Sequence, residues 1–343
     1  MFDSWFVCTD DVNLVDKILS SCPLLESLVL RDIRIEASDH PVPVNIESDK
    51  LKHLEIVNNY TVICPSHIMA KIIKLNAPNL TSLVCKDLML QEYSVENLSS
   101  LVGADIEMVT EDETNVVEEE LEKYLIFKEG RKELYPNRML KILEGLHNVK
   151  ELTLSHGCLQ VLSAAPNLLE RQFPVFSNLR WLKLETTCSL STVGYLLKIS
   201  PILESLVPTS MERSLLNEED DWRASLPFPK KLFSDKLEFE PVAVRDNEFS
   251  SADDEDDWEA KLPLPHMLSQ LKFVEIKDVQ GCDNELKFLE FLFRNAMVLE
   301  ELILFLCPSN NSSRKYDRIA NFSEKVKRLP RASPSVTMIF IYS

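Results

Sequence analysis

A short leucine pattern recurs through the chain and constrains its fold more than any other feature. The pattern is Leu-x-x-Leu-x-Leu or a close variant, and its eight copies begin at Leu25, Leu51, Leu80, Val149, Leu179, Leu203, Leu271 and Leu299. Where no segment intervenes, the first position recurs after 26, 29, 30, 24 and 28 residues. Side chains two positions apart lie on one face of a strand, so each copy predicts a strand with an apolar face.

Helical patterns precede several of these strands. Apolar residues at helical spacing occur in 11–21, 67–75, 137–146, 193–199 and 286–294. One helix and one strand in a repeat of this length are typical of leucine-rich repeats, which stack into a solenoid. We therefore expect an α/β leucine-rich-repeat solenoid with a curved parallel sheet and helices on its convex side. A further strand is predicted through Ala104 and Ile106.

The net charge of −18 is carried by two segments. Residues 104–123 hold nine acids and one base, and residues 209–260 hold sixteen acids and six bases, so the rest of the chain is neutral. Acidic runs of this kind are typical of solvated loops. Because an acidic excess repels phosphates, nucleic acid is not expected as a partner.

Several functional classes lack their motifs. The six glycines are too far apart for a phosphate-binding loop. The eight cysteines contain no Cys-x-x-Cys and the six histidines have no metal spacing, so neither a metal site nor a cofactor is expected. At a predicted strand exit, His156 and Cys158 either pair as base and thiol or are ordinary loop residues, and no orienting Asn or Asp is evident. We predict no enzyme activity and no catalytic residue.

The chain also lacks membrane and secretion signals. It contains no run of about 18 uninterrupted apolar residues, so no membrane span is predicted. Its first residues lack a basic region followed by an apolar run. Scattered cysteines without such a signal favour a reducing compartment, which predicts a cytoplasmic or nuclear protein.

Composition divides the chain into three predicted parts. Irregular leucine-rich repeats are assigned to 1–208, an acidic linker with several prolines to 209–266, and a C-terminal module to 267–343. The linker contains a duplication, in which ten residues from Asp220 match those from Asp256 at seven positions. Each copy contains a tryptophan, so the copies are either acidic-aromatic docking peptides or duplicated linker without a partner.

The C-terminal residues resemble a known module. The segments that carry the resemblance are Leu271-Lys-Phe-Val-Glu-Ile-Lys-Asp-Val-Gln-Gly281, Asn284-Glu-Leu-Lys-Phe-Leu-Glu-Phe-Leu-Phe-Arg-Asn-Ala296, Val298-Leu-Glu-Glu-Leu302 and Leu329-Pro-Arg-Ala-Ser333, followed by a strand pattern over 336–341. They are similar to the FBD module of plant F-box/leucine-rich-repeat proteins. The segment Cys22-Pro-Leu-Leu-Glu-Ser-Leu also resembles the repeats of that family. The resemblance implies that 267–343 is an FBD-type cap at the C-terminal end of the repeats.

The resemblance further implies a protein-interaction module that recognises a target, of unknown identity, for a cullin-type ubiquitin ligase. In that family an N-terminal F-box docks on the Skp adaptor, whereas the chain as given begins inside the first repeat. A Skp adaptor is therefore expected as a partner only if an F-box lies upstream. The chain is expected to be the substrate-recognition part of such a protein. The alternative is an F-box-less scaffold or competitor that binds the same targets without ubiquitination.

Candidate binding residues follow from the strand pattern. Side chains that alternate with the strand leucines are expected on the concave face, which solenoids use for binding. The candidates are Arg31, His53, Glu55, Trp181, Lys183 and Glu185. Trp181 is either an aromatic anchor of the interface or a residue packed under a flanking loop.

Overall fold

A computed structural model gives the arrangement of most of the chain. It describes residues 2–4, 8–9, 13–32, 34–35, 42–58, 71–89, 91–109, 128–165, 175–185, 190–209, 267–307 and 313–342. Their strands are β1 (Phe2–Ser4), β2 (Cys8–Thr9), β3 (Ser27–Arg31), β4 (Arg34–Ile35), β5 (Val42–Glu47), β6 (His53–Val57), β7 (Lys71–Asn76), β8 (Ser82–Leu88), β9 (Glu92–Glu96), β10 (Gly103–Val109), β11 (Glu151–Leu154), β12 (Trp181–Leu184), β13 (Ser205–Pro208), β14 (Phe273–Val279), β15 (Glu301–Leu306) and β16 (Thr337–Tyr342). Their helices are α1 (Leu14–Ser21), α2 (Lys128–Gly145), α3 (His156–Ser163), α4 (Leu190–Lys198), α5 (Asp283–Asn295) and α6 (Ser313–Arg328).

The leucine pattern builds one large sheet. Within the described residues, eleven strands pair in the order β1-β3-β6-β8-β10-β11-β12-β13-β14-β15-β16, and every neighbouring pair is parallel. Equivalent leucines stand in register, so that Leu28 lies opposite Leu54 and Leu54 lies opposite Leu83. The strand predicted through Ala104 and Ile106 is present as β10. The chain therefore has a mixed α/β fold with mostly parallel strand pairing.

The repeat leucines form the core. Leu28, Leu54, Leu152, Leu182 and Leu302 are all buried, as are the first leucines of most copies of the pattern. Burial of one such side chain contributes about 1.5 to 3 kcal/mol relative to its exposure to water. Because these leucines stand side by side on neighbouring strands, one hydrophobic core runs along the sheet from β3 to β16.

The expectation of one helix per strand is wrong in the N-terminal part. The segment predicted as a helix over 67–75 is strand β7 from Lys71 onward, and 61–70 lie outside the described residues. β7 pairs in parallel with β5 and β9 in a second, three-stranded sheet. Ile73 and Leu75 are buried and alternate with the exposed Lys74 and the half-buried Ile72 and Asn76, so period two describes this segment better than the helical period. β-Branched residues also favour the strand.

Helices take the place of the second sheet in the rest of the chain. The helices predicted over 11–21, 137–146, 193–199 and 286–294 are present as α1, α2, α4 and α5. α2 begins earlier than predicted and contains Pro136. None of the described helices is long and apolar enough to cross a membrane.

The start of α5 is organised around a buried carboxylate. Glu285 accepts hydrogen bonds from the backbone N–H groups of Gln280, Gly281 and Cys282, the closest from Gly281 at 2.7 Å. These groups belong to the turn before the helix, where they lack intrahelical acceptors. Gly281 has a φ of +74°, a left-handed conformation that suits glycine. The turn thereby joins β14 to α5.

The sheet continues across the predicted linker. The segment 210–266, which contains the duplicated tryptophan motif, lies outside the described residues. On either side of it, β13 and β14 pair directly, with Ser205 opposite Phe273 and Leu206 opposite Val274. The backbone N–H of Lys272 also donates to the carbonyl of Glu204 at 2.9 Å. The strands before and after the segment therefore belong to one sheet.

Candidate functional site: the open face of the main sheet

One face of the main sheet, which we call the open face, carries the side chains that alternate with the buried leucines. On its central strands these positions are Ser82, Val84 and Lys86 of β8, Gly103, Asp105 and Glu107 of β10, and Trp181 and Lys183 of β12. Each of them is half-buried, whereas the intervening side chains lie in the core. The polar groups of this face are therefore within reach of a partner.

The parallel register decides which open-face residues are neighbours. Trp181 lies opposite Glu151 on one side and Ser205 on the other. Lys183 lies opposite Thr153, and Thr153 lies opposite Asp105. Neighbouring strands are spaced by about 4.8 Å, so the backbones of Lys183 and Asp105 are about 10 Å apart. The charge of Lys183 is therefore close enough to influence the Asp105 carboxylate without forming an ion pair with it.

Five charged side chains form a central charge cluster, which consists of Lys86, Asp105, Glu107, Lys183 and Glu185. Lys86 Nζ lies 2.6 Å from Glu107 Oε2, and Lys183 Nζ lies 2.6 Å from Glu185 Oε1. The hydrogen bond to Glu107 raises the pKa of the Lys86 ammonium. The cluster thus presents both signs of charge on β8, on β10 and at the end of β12.

Asp105 is the half-buried centre of this cluster. Burial raises the pKa of its carboxyl above the ordinary value of 3.8, and the positive charge of Lys86 opposes that rise. Glu185 and Glu107 add to the rise through repulsion. Within the described part of the chain, no cation forms an ion pair with Asp105. Its carboxylate is therefore only partly compensated by the protein's own charges.

The six candidates from the sequence fall into two groups on the open face or at its edge. Arg31, His53 and Glu55 lie on β3 and β6, and Trp181 and Lys183 lie on β12 with Glu185 directly after it. β6 and β12 are four strand spacings apart, which is about 19 Å. The candidates therefore share a face without forming a single contact point.

The N-terminal group contains an ion pair. Arg31 Nη2 lies 3.0 Å from Glu55 Oε1, and both side chains are about one-third exposed. His53 is exposed and lies opposite Ser27 of the neighbouring strand. Such a partly exposed ion pair contributes little to folding stability, in general about 0 to 1 kcal/mol.

Sequence reasoning missed the residues that connect the two groups. On β8, Lys86 alternates with the buried Leu83 and Cys85, just as Arg31 alternates with the leucines of β3. The alternation of side chains along a strand, which selected Arg31, therefore also identifies Lys86. Asp105 and Glu107 stand in an acidic run that suggests a solvated loop, yet they lie on β10. The remainder of that run, residues 110–127, lies outside the described residues.

His156 and Cys158 do not form a nucleophilic site. They follow the end of β11, as expected, but they begin helix α3 and are not loop residues. Cys158 is buried, its Sγ lies 3.4 Å from the carbonyl oxygen of Ile106, and burial raises the pKa of its thiol to about 11. A thiol of this kind is protonated and inert at neutral pH. In the described ranges, no group of three His, Cys, Asp or Glu side chains could hold a metal ion.

Comparison with known proteins places this geometry in a family context. Residues 261–304 match the FBD family, and they include β14, α5 and the first part of β15. An Arabidopsis thaliana F-box/FBD/LRR-repeat protein is 25% identical over 335 residues, which cover 95% of this chain and 62% of the relative. The chain is therefore similar to plant F-box/FBD/LRR-repeat proteins in its C-terminal module and over most of its length.

Two further Arabidopsis thaliana relatives are F-box/LRR-repeat proteins. One is 29% identical over 212 residues, covering 60% of this chain and 42% of the relative. The other is 25% identical over 338 residues, covering 95% and 60% respectively. The chain thus spans between 35% and 62% of the length of the curated relatives that it matches. No solved structure matches the chain.

Proposed function

We propose that the chain is a protein-binding module that recognises a target for a cullin-type ubiquitin ligase, and that the open face is its binding surface. The central charge cluster carries this proposal, because it sets mixed charges beside the half-buried Trp181 on an accessible face. Interfaces are enriched in aromatic anchors surrounded by polar groups. The partly compensated carboxylate of Asp105 favours a target that supplies a cation.

We further propose that the main sheet is the inner layer of an irregular leucine-rich-repeat solenoid, with the open face on its concave side. The sequential parallel strand order and the in-register leucines support this architecture. In this proposal 1–208 are the repeats, 209–266 are the linker, and 267–343 are an FBD-type cap. The free thiols of Cys22, Cys85, Cys158, Cys282 and Cys307 fit a reducing cytoplasmic or nuclear location.

Affinity capture from plant extract tests the binding surface. The wild-type chain is compared with Trp181→Ala and Lys183→Glu, and with Lys141→Glu, which alters an exposed, ion-paired lysine on α2 outside the open face. A target should be lost with both open-face variants and retained with the control. For the purified target, Trp181→Ala should weaken binding by about 1 kcal/mol or more, which is about fivefold in Kd.

All four proteins must first show the same thermal midpoint, so that lost binding reports the surface and not the fold. If Trp181→Ala abolishes folding, Trp181 packs under a flanking loop and Lys183→Glu alone tests the surface. A target captured equally by every variant would refute the open face as the binding site.

A scaffold or competitor that binds the same targets without ubiquitination is the second candidate function. It would use the same open face, because binding a target does not itself require a ubiquitin ligase. An in-frame F-box encoded upstream of Met1 would favour the ligase. A ubiquitination assay on the captured target also separates the two functions, with the chain either fused or not fused to an F-box. Only the fusion should co-purify with the Skp adaptor and modify the target.

A further inference from the structure

Strand β16 ends the main sheet with an unpaired edge. All six of its residues pair with β15, from Thr337 opposite Glu301 to Tyr342 opposite Leu306. Among the described residues, no strand pairs with its other edge. The N–H of Thr337 donates to the carbonyl of Glu300 at 2.8 Å, on the β15 side. Backbone N–H and C=O groups of successive residues point to opposite sides of a strand. The N–H and C=O groups of Met338, Phe340 and Tyr342 therefore point toward the free edge.

This edge lacks the usual protection against strand addition. Exposed edges generally carry charges, proline or a bulge, whereas β16 reads Thr-Met-Ile-Phe-Ile-Tyr. Ile339 and Ile341 are each 36% exposed on the open-face side, and Tyr342 is 65% exposed. The neighbouring Ile303 and Phe305 of β15 are half-buried and lie opposite these two isoleucines. One side of the edge is therefore an apolar strip.

The other side of the edge is bordered by positive charge. Lys327, in the last turn of α6, places its Nζ 5.5 Å from the centroid of the Phe340 ring. Arg331, just beyond α6, donates from Nη2 to the carbonyl of Lys327 at 2.9 Å, and its guanidinium lies 5.7 Å from the centroid of the Phe293 ring on α5, away from the edge. Lys325 and Arg328 lie in the same last turn, and Glu324, 2.9 Å from Lys327, offsets one unit of charge, so the end of α6 is positive overall. The helix side of β16 consequently favours anionic groups.

We propose that the free edge of β16 binds an extended segment of a partner protein in which acidic residues alternate with apolar ones. As an added strand, such a segment directs its acidic side chains toward Lys327 and its apolar side chains toward Ile339 and Ile341. Charge selects this occupant over a second copy of the chain, since two paired β16 strands would bring two basic α6 ends together. β16 lies four strand spacings, about 19 Å, from β12, so this surface is separate from the central charge cluster.

The binding is tested with synthetic peptides and the full chain. A short fluorescein-labelled peptide that alternates glutamate with valine is titrated with the protein, and binding is followed by fluorescence anisotropy. A second peptide has lysine in place of each glutamate. A third has the composition of the first with its glutamates clustered at one end. The first should bind, and the other two should bind at least about tenfold more weakly, because only the first matches both the charge and the alternation.

Substitutions then locate the site. Lys327→Glu should weaken binding of the glutamate peptide about three- to tenfold and strengthen binding of the lysine peptide. Reversal of one charge in a surface ion pair changes the affinity by this order. Ile341→Lys places a charge in the apolar strip of β16 and should also weaken binding of the glutamate peptide. Lys141→Glu, which alters a lysine outside both surfaces, should leave the binding of both peptides unchanged. Unchanged thermal midpoints establish that each variant is folded.

Three results would overturn the proposal. The first is that neither the glutamate nor the lysine peptide binds. The second is equal binding of the two, or no effect of Lys327→Glu. The third is a wild-type dimer detected by light scattering that Ile341→Lys dissociates, which would make a second copy the occupant of the edge.

Discussion

Tyr93 donates a hydrogen bond of 2.6 Å to Asp87, and both side chains are buried. Asp87 belongs to β8 of the main sheet and Tyr93 to β9 of the second sheet, so the bond connects the two layers. The other carboxylate oxygen of Asp87 accepts from the backbone N–H of Leu88 at 2.8 Å. A buried carboxylate is tolerated only when donors of this kind compensate for its lost hydration.

Tyr93→Phe should therefore destabilise the protein although it removes a single oxygen. The carboxylate of Asp87 would lose a buried donor, and we expect a loss of about 1 to 3 kcal/mol in the free energy of unfolding. Chemical denaturation measures this loss. Tyr342→Phe, which alters an exposed tyrosine of β16, is the matched control and should change little. Equal midpoints for wild type and Tyr93→Phe would mean that the bond does not support the layers.

Leu182→Ala tests the packing of the repeat leucines. Leu182 is buried and lies between Leu152 and Leu206 on the neighbouring strands. Truncation leaves a cavity and should lower the free energy of unfolding by roughly 2 to 5 kcal/mol. Lys183→Ala, on the open face one residue later, should cost less than about 1 kcal/mol. A denaturation midpoint unchanged by Leu182→Ala would show that the strand register is wrong.

Asp105→Asn should make stability less dependent on pH. Burial raises the folded-state pKa of the Asp105 carboxyl above 3.8, so the folded protein favours the protonated form. Protonation of Asp105 therefore stabilises the folded protein fully at a pH below the pKa that this carboxyl has in the unfolded chain. That stabilisation is lost as the pH rises through the pKa of the carboxyl in the folded protein. Asparagine stays neutral throughout, so the variant should gain stability relative to wild type as the pH rises above about 4. Denaturant unfolding at several pH values measures this difference, and a difference independent of pH would contradict the expectation.

Gly281→Ala tests the turn before α5. The residue has a φ of +74°, and an added Cβ would lie 3.1 Å from the Cβ of Phe322 on α6. Left-handed backbone strain in a residue other than glycine costs about 1 to 3 kcal/mol, so the thermal midpoint should fall. At Gly103 the nearest atoms to an added Cβ are 4.0 Å away, and Gly103→Ala should be neutral or slightly stabilising. Similar midpoints for the two variants would argue against the left-handed turn.

The leucine pattern determined the main sheet because it is a local signal. The second leucine of the pattern is buried in copies from different parts of the chain, as Leu28, Leu54 and Leu182 show. The spacing of the leucines alone therefore predicts the strands and their apolar face. Parallel pairing followed, since consecutive strands separated by a crossover of this length run in the same direction. The similarity to FBD-containing proteins was also evident from the residues between 271 and 333.

Tertiary structure decided what local spacing leaves ambiguous. Ile73 and Leu75 suit a helix or a strand, and pairing of β7 with β5 and β9 selects the strand. The contact between Lys86 and Glu107 joins residues on different strands, and it exists only because β8 and β10 pair in one register. A shift of one residue would send either side chain into the core. The sequence by itself thus determined which residues face outward, and interstrand hydrogen bonding decided which of them meet.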